Sequence, residues 1–134
     1  MPDRFDFKVK SEETSTTTPP QGENIGDITR TQARDYCIIN GYNVGSHYTF
    51  ASPNKTKQGI YWANPKPEIL KHDWDIILND KDNKCLRVLH VPANTFDVKQ
   101  FYLKINKTGE RFLQLEIDQG SLIETKRNIN FKPY

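Results

Sequence analysis

The chain has 134 residues, 35% of them hydrophobic and 27% charged, with a formal charge of +2. That is room for one core, and too little net charge to prove a polyanionic partner. No window approaches the apolar length of a membrane span and no apolar leader opens the chain, so no membrane contact is expected.

The charge is unevenly spread. Residues 1–29 hold six acids against three cations, a net charge of −3, which leaves +5 on the remainder. Residues 4–10, RFDFKVK, alternate apolar and charged, which places Phe5, Phe7 and Val9 on one face of a short half-exposed strand. Residues 11–24 contain no apolar side chain and are rich in Thr, Ser, Glu and Pro, the composition of a flexible tether. The organisation expected is therefore an arm over 1–10, a tether over 11–24 and a single domain over 25–134. Such an arm can fold back on its own sheet, exchange with a second copy to form a homodimer, or add to the sheet edge of a partner protein.

Residues 27–43, DITRTQARDYCIINGYN, predict a helix of about three turns, with Asp27 or Thr29 as N-cap and Asn40-Gly41 as the stop. Ile28, Ala33, Tyr36, Cys37 and Ile39 share one face, so this helix packs on something. From Tyr48 onward the signals are β. YTFA (48–51) and IYWA (60–63) read as short strands, and NPKPEILKHD (64–73) as a proline-broken connection. Two hairpins follow: WDIILN with CLRVLHV across DKDNK, and FYLKIN with RFLQLEID across KTGE, where Gly109 supplies the positive φ of the turn. In the first, Trp74, Ile76 and Leu78 face inward. In the second, Phe101, Leu103, Ile105, Leu113, Leu115 and Ile117 form a core face, with Tyr102, Lys104, Gln114 and Glu116 on a wet one. A last strand runs over 122–131. The fold expected is α+β, one N-terminal helix packed on a strongly bent antiparallel sheet or small barrel of about seven strands.

Cys37 and Cys85 form no CxxC and fall in helix and strand, which predicts two reduced, buried thiols and a cytoplasmic protein. His47, His72 and His90 match no zinc spacing, and no phosphate loop is present, so no cofactor is implied. Cys85 and His90, five apart on one strand, fall on opposite faces and make no nucleophile pair. Gly59–Tyr61 reads GIY and resembles the opening triplet of the GIY-YIG nucleases. The resemblance covers that triplet alone, since NPKPEILKHD stands where a second motif belongs, and it implies no role for any residue here.

Three functions remain. The first is a non-catalytic nucleic-acid-binding domain, in which Tyr61 and Trp62 stack on bases while Lys55, Lys57, Lys66 and Lys71 meet phosphates. The second is a protein-interaction module, an inhibitor or adaptor, acting through Phe5, Phe7 and Val9 of the arm. The third is a Mg²⁺-dependent nuclease, with Asp75 and Glu116 as metal ligands and Lys104 assisting on the same wet face.

Overall fold

The computed structural model describes residues 5–8, 28–54, 56–81 and 84–134. Val9, the tether over 11–24 and Lys55 lie outside them. Strand β1 (Phe5–Lys8) comes first, then helix α1 (Arg30–Ile39) and strands β2 (Tyr48–Pro53) and β3 (Ile60–Ala63). Next are β4 (Trp74–Asp80), β5 (Cys85–Val91), β6 (Leu103–Ile105), β7 (Arg111–Leu113), β8 (Leu115–Asp118), β9 (Ile123–Glu124) and β10 (Ile129–Asn130).

Eight of these strands form one strongly curled, half-barrel sheet in the order β1-β5-β4-β2-β3-β8-β9-β10, and β6 pairs only with β7. The sheet is mixed where an antiparallel one is expected, because β2 lies parallel to β4, Tyr48 opposite Asp75 and Ala51 opposite Leu78. The connection from β2 to β4 runs through β3 and a 3-10 turn at Pro67–Lys71, long enough to bring the chain back in the same direction. The long strand expected over 111–118 is broken at Gln114: β7 pairs with β6, while β8 crosses to β3 and β9. The expected last strand is likewise two short ones, β9 and β10, paired through a turn over 125–128.

Local chemistry accounts for the ends of the elements. Thr29 caps α1 through a capping box with Gln32, and Asn40 and Gly41 (φ +96°) end it. Gly109 takes φ +88° in its turn, as expected.

Two apolar clusters lie on opposite faces of β4. On the inner face Trp74, Ile76 and Leu78 pack with Leu89, Val91, Phe101 and Phe131, and the Trp74 ring meets the edges of both phenylalanines at 6.5 and 6.1 Å. On the outer face Ile77, Leu86 and Val88 cluster with Ala33 and Cys37 of α1. Every residue of β4 is therefore buried, including Asp75 and Asn79. Ile39 does not join the helix face assigned to it and is 79% exposed. The backbone of β1 lies antiparallel on β5, with Phe5 opposite Val88 and Phe7 opposite Leu86.

Candidate nucleic-acid interface

Beyond α1 the outer face of the sheet continues over β3 and β8. Directly opposed residues share a face, so the register Ser52↔Trp62 and Trp62↔Glu116 carries the outer surface across β2, β3 and β8. Trp62 stands on it 46% exposed, while Tyr61, one residue earlier, is 1% exposed in the inner core. Alternation along a strand forces that opposition, so Tyr61 cannot be the stacking residue the sequence suggested.

Glu116 is the centre of this surface and is itself buried. Its Oε1 accepts from Lys57 Nζ at 2.7 Å, and its Oε2 accepts from Gln114 at 3.2 Å and lies 3.8 Å from Lys126 Nζ. The loop that brings Lys57 here is ordered by Asn54, whose side-chain oxygen accepts from the backbone N–H groups of Thr56 and Lys57. The turn that brings Lys126 is tied by Glu124. This fully buried carboxylate accepts from the N–H of Glu116 at 3.0 Å and of Arg127 at 2.8 Å. Lys126 then sits 4.7 Å above the ring of Tyr102 and Arg127 5.8 Å from it, with Tyr102 itself 42% exposed. Two half-exposed aromatic rings thus accompany two lysines paired with one carboxylate, with Arg127 beside the Tyr102 ring. Sequence alternation places Tyr102 on the same wet face as Glu116; Lys126 and Arg127 escape it, because Lys126 reaches Glu116, opposite Trp62, only through the pairing of β8 with β3 and β9.

The Lys57 ammonium holds the Glu116 carboxyl below its ordinary value of 4.5, with burial opposing and Gln114 and Lys126 adding to the depression. Its folded value lies below the unfolded one, so the stabilisation is complete above about pH 4.5 and is lost as pH falls through the folded value. Urea unfolding across the acid range is expected to show the gap between wild type and Lys57→Met closing below that pH. A gap that persists unchanged into acid would show that the ion pair is not its source.

The carboxylates of the nuclease reading are not brought together. Asp75 stands opposite Tyr48, and Glu116 stands level with Ser52, four residues further along β2. That is about 13 Å along the strand alone, before the three strand steps from β4 to β8. A shared Mg²⁺ needs oxygens at about 2.1 Å each. Lys104 is exposed on β6, in the separate two-stranded sheet. Among the described residues no group of three His, Cys, Asp or Glu side chains could hold a metal ion.

Asp75 instead has a full set of partners. Its Oδ1 accepts from Tyr42 Oη at 2.6 Å and lies 2.8 Å from His90 Nδ1, and its Oδ2 accepts from Gly45 N at 3.0 Å. Beneath it, burial and the nearby Asp75 charge push the Cys37 thiol up to about 12, so Cys37 stays a protonated, inert core residue.

The remaining lysines scatter. Lys66 lies at the mouth of a cavity between β2 and the chain after β3, in a loose, exposed pair with Glu110 at 3.8 Å. Lys71 lines a different hollow, beside Asn94 and Phe96. Of the five described residues among those proposed from sequence to meet nucleic acid, the outer face therefore keeps Lys57 and Trp62. No helix among the described residues is long and apolar enough to cross a membrane. No family model, curated protein or solved structure matches the chain.

Proposed function

We propose that the protein binds single-stranded nucleic acid on the open outer face of its sheet, without catalysis. Bases stack on Trp62 and Tyr102, while Lys57, Lys126 and Arg127 meet the phosphates. The observation that supports this most is the exposure of two large rings, 46% and 42%, beside three cations on an otherwise well-packed half-barrel. Rings offer sequence-tolerant stacking and ammonium groups offer counterion release, which together suit an unpaired strand. Cys37 and Cys85 are buried and form no disulfide, which favours a reducing compartment and supports the cytoplasm as the place of action.

The test is fluorescence anisotropy with labelled single-stranded DNA and RNA over a salt series. Trp62→Ala and Tyr102→Ala are each expected to weaken binding by about 1–3 kcal/mol. The logarithmic salt slope should be near −0.7 per phosphate contact. Glu116→Gln releases two lysines from their acid and is expected to tighten binding, whereas a catalytic carboxylate would show lost turnover instead. Absence of salt-dependent binding to any oligonucleotide sinks the proposal and leaves the protein-interaction reading.

A further inference from the structure

Strand β2 is bonded to two neighbours over different residues. Residues 48–51 pair with β4, and only Ser52 and Pro53 pair with β3. Past Trp62 the chain after β3 therefore splays away from β2 and runs into the 3-10 turn at Pro67–Lys71, leaving a cavity of about 450 Å³ in the split. Its size falls in the range of small-molecule sites.

The walls have a definite chemistry. His47 and His72 stack with ring centroids 3.8 Å apart and planes within 2°, a flat aromatic surface on one side. Tyr48 lines the cavity with the guanidinium of Arg30 laid 3.7 Å above its ring. Arg30 is anchored there by bonds from two of its nitrogens, to the Tyr48 hydroxyl at 3.1 Å and carbonyl at 3.0 Å. Lys66, whose Nζ also lies 3.8 Å from Glu110, supplies a second cation from the chain beyond β3, and Glu68 is the one acid in the cavity lining. Asn64, two residues beyond Trp62, donates to Leu113 O at 3.2 Å, which leaves its side-chain oxygen as an acceptor beside the cavity.

Flat rings, two cations from separate elements and one amide acceptor match a planar base carrying a phosphate. We propose that this cavity is a site for a nucleoside monophosphate, either as a free nucleotide or as the phosphorylated end of a strand lying on the outer face. The choice of a nucleotide over other planar anions rests on the nucleic-acid reading above.

The test titrates the full chain with adenosine 5′-monophosphate, with adenosine, and with a single-stranded oligonucleotide bearing or lacking a terminal phosphate at either end. The imidazole NMR signals of His47 and His72 are followed throughout. Adenosine monophosphate is expected to shift both imidazoles, and adenosine to bind at least tenfold more weakly. Arg30→Gln should weaken the nucleotide about ten- to a hundredfold through the lost charged hydrogen bonds. Because Arg30 also holds α1 to Tyr48, Lys66→Gln serves as the second variant, on an exposed side chain, with an expected loss of several-fold. Equal affinity for adenosine and its monophosphate, or binding that leaves both imidazoles unmoved, overturns the proposal. An oligonucleotide that binds alike with and without a terminal phosphate, while the free nucleotide fails to bind, overturns the cavity alone and leaves the sheet face standing. If the free nucleotide binds and no oligonucleotide does, the cavity stands and the sheet-face reading falls. Comparing the free nucleotide with the two phosphorylated ends identifies the source.

Discussion

Asp75→Ala is expected to lower the unfolding free energy by about 3–5 kcal/mol, a large share of the ~5–15 kcal/mol that holds a domain together. The carboxylate is 4% exposed and satisfies three groups from three places: the Tyr42 hydroxyl after α1, Gly45 N in the loop before β2, and His90 on β5. Removing it strands a hydroxyl and an N–H under the helix and leaves the imidazole without its acceptor, the costly half of a buried hydrogen bond. Asp75→Asn is expected to lose less, about 1–3 kcal/mol, since the amide keeps the shape and part of the bonding. Denaturant unfolding followed by Trp fluorescence checks both. A change within about 0.5 kcal/mol for the alanine variant would remove the structural role and reopen Asp75 as a chemical group.

Tyr61→Ala is expected to lose about 3–5 kcal/mol of stability, and Trp62→Ala about 0.5 kcal/mol or less, although the two rings are adjacent in the chain. Tyr61 is packed at 1% exposure with Ala63, Leu115 and Ile117 in the inner cluster, so its removal leaves a cavity the curled sheet cannot close. Trp62 faces solvent, and its loss should be read in binding and not in folding. Thermal or urea unfolding of the two variants side by side separates the cases. Equal losses would mean that the outer face around Trp62 is closed by something, and would remove it as a stacking surface.

The elements themselves were legible from local chemistry. The Thr29 cap, the Asn40-Gly41 stop, the Gly109 turn and the alternation in IYWA are decided by side-chain size and backbone freedom within a few residues. Alternation alone also set Tyr61 and Trp62 on opposite faces, but not which face is core. That was decided when β3 settled between β2 and β8 in a register that turns Tyr61 toward Ile117.

The candidate site was legible only in fragments. Lys57 and Trp62 were visible as a cation and a ring. Their grouping with Tyr102, Lys126 and Arg127 required the break at Gln114, the crossing of β8 and the buried Glu124 that anchors the 125–128 turn. Asp75 and Glu116 look alike in sequence, each an acid within an apolar-rich strand. Tertiary structure separated them, giving one a hydroxyl, an N–H and an imidazole, and the other two lysines and an amide. The sequence by itself determined the helix over Arg30–Ile39, most strand positions and the Gly109 turn, because those follow from period, caps and glycine. Only the fold decided the parallel pairing of β2 with β4, the burial of both faces of β4 and the split that opens the cavity. Each of those rests on contacts between residues tens of positions apart, whose free energy no local window contains.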